Sequence, residues 1–191
     1  MTFAFYVNEE MTEQAADVLP HQFDLNQPKP HEFVLYLGSP DTRYKLVSEK
    51  KGSNITLAPA LALPEWTANH GYVQGDLISE NGFIFQCVQA GVSGESVPVL
   101  LNVVGSVVQD GAAIWRGVGK AYAVGDMKLA LSSLGLAAAR GGAAVSLGAE
   151  LLGGAAVAVY VQISPSVDTP YLLENVAQFG IVINDCVVVP V

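Results

Sequence analysis

The chain has 191 residues, 51% of them hydrophobic and only 14% charged, with a formal net charge of −9. Charged residues make up about a quarter of an ordinary soluble domain, so few solvated side chains cover the outside, and much of the surface is expected to be buried against other chains. The acidic balance repels phosphate and argues against nucleic-acid binding; it is spread evenly, −3 in each of 1–63, 64–120 and 121–191, which leaves no acidic tail or basic arm.

The chain opens MTFAFYVNEE, without a basic leader or a long apolar run. A cytoplasmically made, soluble or assembled protein is expected. Residues 9–18, EEMTEQAADV, read as one short helix or a polar loop, with Glu9, Glu10 and Glu13 on a solvated face. From Phe23 onward the runs are short and β-branched or aromatic, and Gly, Pro, Asn and Asp punctuate them. That is the pattern of an all-β protein. The predicted strands are FAFYV (3–7), QFDL (22–25), HEFVLYLG (31–38), YKLVS (44–48) and NITLAP (54–59). In the third, Phe33, Leu35 and Leu37 point one way and Glu32, Val34 and Tyr36 the other, which suits one buried face. Gln27-Pro28-Lys29-Pro30 and Gly38-Ser39-Pro40-Asp41 bracket it as turns. Arg43, Lys45, Lys50 and Lys51, mixed with Asp41 and Glu49, read as a solvated turn.

Residues 58–64, APALALP, are uncharged, carry two prolines and read as a linker. Both tryptophans follow, before a second composition shift at 117–120. Asn81-Gly82 is the strongest local signal in the chain. A type I′ turn needs positive φ at both central residues, and Asn-Gly supplies it at least cost. It joins DLISE to FIFQCV. A second hairpin is predicted at Asp110-Gly111, and its outgoing strand carries Trp115 back toward Trp66 and Tyr72. So small a module holds a minimal core, in which its aromatics carry a large share of the burial.

After residue 121 the chain turns Ala-, Gly- and Val-rich. GGAAV occurs at 141–145 and again at 153–157, read as turn-plus-strand rather than as a solenoid repeat. The alternation over 155–163 puts Val157, Val159, Val161 and Ile163 on one face of a core strand. GIVINDCVVVPV (180–191) reads as another. The apolar region 129–163 is broken by Arg140, Glu150 and six glycines, so no stretch reaches the ~20 residues that span a bilayer. Membrane insertion is not expected.

Chemistry-bearing patterns are few. His21, His31 and His70 sit apart in turn-rich places. No zinc-protease, Cys-His or nucleophile-elbow motif occurs, and Gly117-Val118-Gly119-Lys120 lacks the rest of a P-loop. Cys87 and Cys186 lie in apolar runs and read as buried free thiols, with a disulfide as the alternative. Neither has metal-site spacing. No catalytic residue, metal or cofactor is predicted, and the chain is not expected to be an enzyme.

The order Trp66, Tyr72, Gly75-Asp76, Gly82, Phe85, Cys87, then Gly91, Ser93-Gly94, Pro98, Asp110-Gly111 and Trp115 resembles the small chitin-binding-type carbohydrate-binding modules, in the version common in tailed-phage virion proteins. The resemblance covers roughly 64–117. Sugar-binding members of that family stack exposed aromatics on pyranose rings, one of them in a Gly-Trp-Glu-Pro-like segment. The matching segment here, Ser93-Gly94-Glu95-Ser96-Val97-Pro98, has no Trp. Trp66, Tyr72, Phe85 and Trp115 are therefore expected in the core. Were a glycan site retained, the resemblance would assign stacking to Trp66, Tyr72 and Trp115 and hydrogen bonding to Asp76 and Gln86.

The flanking segments resemble the opening and closing strands of immunoglobulin-like domains in phage and bacterial surface proteins. The implied fold is an immunoglobulin-like β-sandwich, 1–60 plus 121–191, with a chitin-binding-like β module, 61–120, inserted between its halves. Two or three domains in a row are the alternative. The implied function is a structural virion component of a tailed bacteriophage, at the tail tip or baseplate. Its partners would be other virion proteins and further copies of itself, with weak contact to a host surface glycan. A carbohydrate-binding host-adhesion module and a capsid decoration protein are the alternatives.

Overall fold

The computed structural model describes residues 3–15, 30–164 and 178–191. These are nearly all β, arranged in several antiparallel sheets. The expected strand QFDL, most of the turn at 27–30, the end of the 9–18 segment and His21 lie outside the described residues.

The first segment supplies β1 (Ala4–Tyr6), β2 (His31–Gly38), β3 (Tyr44–Ser48) and β4 (Ile55–Leu61). After β1 the chain folds back on itself. Val7 N donates to Glu13 O at 3.0 Å and Ala15 N to Phe5 O at 2.8 Å. Asn8 Oδ1 accepts from the amides of Thr12 and Glu13 and fixes the bend between them. Residues 9–15 are thus a hairpin return rather than a helix, because an Asx-type bond competes with helical pairing. The expected linker at 58–64 is shorter than read, since Ala58–Leu61 completes β4. Pairing with the neighbouring Val145–Gly148 strand ends at Leu57, so Pro59 withholds no N–H from that partner.

The middle segment supplies β5 (Gly71–Tyr72), β6 (Leu77–Glu80), β7 (Phe83–Gln89), β8 (Gly91–Val92), β9 (Val107–Asp110) and β10 (Ala113–Lys120). The last segment supplies β11 (Met127–Ala130), α1 (Ser133–Ala138), β12 (Val145–Gly148), β13 (Glu150–Leu152), β14 (Ala156–Ile163), β15 (Phe179–Asn184) and β16 (Cys186–Pro190). The short helix α1 is absent from the sequence expectation. Its cap is Ser132, whose Oγ accepts from Gly135 N at 3.0 Å. The expected single strand over 180–191 is two strands. Asp185, at φ 55°, breaks it, and the two pieces enter different sheets.

The described residues divide into two compact units. The larger draws on both ends of the chain, 3–15 and 30–60 with 124–164 and 178–191. Its sheets run β1-β2-β14-β11, β12-β4-β15 and β13-β3-β16. Each of β2, β3 and β4 therefore pairs with strands from the last segment. In the first sheet Leu35, Leu37, Val159, Val161 and Ile163 fill one face, as the period-2 pattern requires. A second buried pair, Leu46 opposite Leu151, joins β3 to β13. At the strand ends, Lys45 pairs with Glu150 and Lys50 with Asp185, so part of the basic turn group forms ion pairs at strand ends.

The smaller unit is 61–123, with sheets β6-β7-β10-β9 and β5-β8. The β6–β7 hairpin turns at Asn81 and Gly82, whose φ values of 49° and 74° give the I′ signature. The β9–β10 hairpin turns at Gly111-Ala112 with positive φ at Gly111 alone, the II′ pattern.

Candidate functional site

The sequence-predicted residues all fall in the smaller unit. Its core comprises Tyr72, Ile78, Phe83, Phe85, Cys87 and Trp115, with Trp66 and Leu100 packed against it. Trp115, on β10, is fully buried and meets the Tyr72 ring edge-on at 4.7 Å. Such a contact adds about 0.5–1.5 kcal/mol beyond burial. Stacking on a sugar needs an exposed ring face, and neither Trp115 nor Tyr72 offers one. Trp66 is half-buried. Asp76 Oδ2 accepts from Val73 N at 2.7 Å and closes the turn before β6. Gln86 Oε1 accepts from Arg116 Nη2 at 2.9 Å across β7 and β10. The five glycan candidates thus serve core, turn and cross-strand roles.

Asp110 links the two tryptophans. It sits at the end of β9 and is only 4% exposed. Its Oδ2 accepts from Trp66 Nε1 at 2.7 Å and from Trp115 Nε1 at 3.0 Å, and its Oδ1 accepts from Gly94 N at 2.7 Å. Ser93 extends the clamp. Its Oγ donates to Thr67 O at 2.7 Å and accepts from His70 N at 2.9 Å. Tyr72 Oη accepts from Thr67 N at 2.8 Å. The approach to β5 is thereby fastened to the turn after β8. Read from the sequence, Asp110 is turn chemistry; the signal for its second role is that two indoles need an acceptor in a unit with few of them.

The second feature is an outward one. Between Ser96 and Val107 the chain follows an irregular path outside the strands. Val97, Val99, Leu101, Val103, Val104 and Val107 are all at least 50% exposed, and Val99 is 82% exposed. No charged residue occurs over 97–107. The backbone beneath them is pinned. Leu100 turns inward onto the core. Ser106 Oγ donates to Leu101 O at 2.9 Å, and Gly105 N and Gly117 N bond across to Gly117 O and Ser106 O at 2.8 Å each. Asn102 Nδ2 donates to Asn81 O at 3.1 Å. Gly117 accommodates this approach because a Cβ there would collide with Val103 O. The apolar side chains are therefore held out by a bonded scaffold.

Among the described residues no group of three or more His, Cys, Asp or Glu is placed to hold a metal, and no helix is long and apolar enough to cross a membrane. Both cysteines are free thiols, Cys87 buried and Cys186 half-buried. Burial pushes both thiols above their ordinary pKa, which disfavours the reactive thiolate. No family model, curated protein or solved structure matches the chain.

Proposed function

We propose that the chain is a structural component of a tailed-phage virion, associated with the tail tip or baseplate, that works by packing against neighbouring subunits. The observation that carries this reading is the pinned, uncharged stretch 97–107 with its outward valines and leucine. Exposed apolar clusters of this kind mark protein contacts, and the cores of such interfaces are depleted of charge. The scarcity of charge over the whole chain points the same way. The phage assignment rests on the order of residues from Trp66 to Trp115, which resembles the modules of virion proteins. In this reading the larger unit is an immunoglobulin-like sandwich and 61–123 is its inserted module. A glycan contact is no part of the proposal, because the stacking rings it would use lie in the core or in the Asp110 clamp.

The test is association. Light scattering on the purified chain, alone and mixed with purified virion proteins, is expected to show a complex. Val99→Asp with Leu101→Asp should weaken it at least about tenfold, a step of about 1.4 kcal/mol, without lowering the melting temperature. A wild-type chain that stays monomeric and binds no virion protein would end the proposal.

A further inference from the structure

We infer that Asn81 is a site of spontaneous deamidation whose rate is set by the Asn102 contact on its own carbonyl. Two dipeptides in the chain can cyclise through the following glycine, Asn81-Gly82 and Asp110-Gly111. Glycine permits the reaction because it puts no side chain beside the attacking nitrogen. The fold treats the two differently. Asp110 is buried, and both carboxylate oxygens are occupied by N–H donors. A buried carboxyl group with both oxygens held by N–H donors is not free to turn toward the Gly111 nitrogen, so this dipeptide is protected. Asn81 and Gly82 are exposed at the tip of the β6–β7 hairpin, open to water.

The chemistry needs only water. The Gly82 nitrogen attacks Asn81 Cγ and a C–N bond forms. The side-chain nitrogen leaves as ammonia, carrying the proton lost from Gly82. Water then adds to one carbonyl of the cyclic imide and breaks one C–N bond, giving aspartate or isoaspartate. No oxidation or reduction is involved.

The attack requires the peptide between Asn81 and Gly82 to rotate toward the Asn81 side chain. One contact holds that peptide directly and a second ties down the next peptide unit. Asn102 Nδ2 donates to Asn81 O at 3.1 Å, and Gly82 O accepts from Ala121 N at 2.9 Å. The I′ turn adds positive φ at both residues. Deamidation therefore proceeds through local opening of the hairpin tip, and Asn102, on the exposed apolar stretch, is the gate. Aspartate at 81 would add a negative charge beside Glu80. Isoaspartate would insert an extra backbone carbon into a two-residue turn and disturb the Glu80–Phe83 register.

The experiment ages the full chain at mildly alkaline pH and follows positions 81 and 110 by peptide mapping and mass spectrometry. Wild type is compared folded and in urea, beside Asn102→Ala and Asn102→Ser, with circular dichroism confirming that each variant is folded. Folded wild type should deamidate at Asn81 at least about tenfold more slowly than the unfolded chain, the cost of a local opening. Both Asn102 variants should recover several-fold of that difference, and Asp110 should stay intact while the chain is folded. Variant rates equal to wild type, folded and unfolded rates that coincide, or prior isomerisation of Asp110 would each overturn the inference.

Discussion

Asp110 accepts from two indoles and an amide at once, so substitutions around it separate packing from hydrogen bonding. Trp66→Phe keeps an aromatic ring of smaller size and removes one donor, and should cost about 1 kcal/mol for the lost bond with a further packing loss from the missing pyrrole ring. Asp110→Ala strands three donors that lose their shared acceptor, and should cost about 3 kcal/mol or more. Urea unfolding followed by tryptophan fluorescence measures both. Equal losses would mean that Asp110 serves Trp66 alone. Elsewhere, Arg43 grips Asp41 with two side-chain bonds, Nε at 2.9 Å and Nη2 at 2.7 Å, and adds its own backbone N–H. The Arg43 side-chain bonds are the main cause holding the Asp41 carboxyl at about 2, below its ordinary 3.8. Because the folded value is the lower one, the stabilisation is present above pH 3.8 and is lost as pH falls through about 2. In an NMR titration, Arg43→Gln should return the Asp41 midpoint toward 3.8. An unmoved midpoint would assign the shift to another cause.

The GGAAV copies show how an element is started. In both, the second glycine takes positive φ, 74° at Gly142 and 84° at Gly154. In both, the first glycine lies so close to another backbone that a Cβ would collide, with Gly125 O at Gly141 and with Asp41 O at Gly153. Each copy is a turn leading into a strand, β12 and β14. Gly153→Ala should therefore cost about 3 kcal/mol, since backbone must move to admit the methyl. Gly52→Ala, at φ 82° with open space around it, should cost only the strain of a left-handed alanine, about 1–2 kcal/mol. Thermal unfolding of the two variants compares them, and the reverse order would refute the packing argument. Strands β2 and β3 and the Asn81-Gly82 hairpin are legible in the sequence because alternation and turn chemistry are local. The break at Asp185 is visible only in hindsight as Asn-Asp within an apolar run, two residues that tolerate left-handed φ. The helix α1 lacks the length for a periodic signal.

At the scale of the whole molecule, sheet partners are what the sequence conceals. His31 lies opposite Ile163 and Tyr44 opposite Pro190, and nothing local distinguishes these pairings from others of equal alternation. The site is legible to the same degree. Tyr72, Phe85 and Trp115 read as core and are buried, since large aromatics in a small unit have nowhere else to go. The Trp66–Asp110–Trp115 clamp depends on a meeting across 44 residues, and the outward valines of 97–107 depend on which residues the hairpins leave uncovered.

The pairing of β2, β3 and β4 with strands from the far end of the chain has a consequence for synthesis. As the protein leaves the ribosome, the opening residues emerge without the partners that complete their sheets. Among the described residues, the strands of the 61–123 segment find all of their sheet partners within it, and it is able to close first. The early strands must then wait, edges unmatched, until translation reaches the final valines, and that interval is when the nascent chain is most exposed to mispairing.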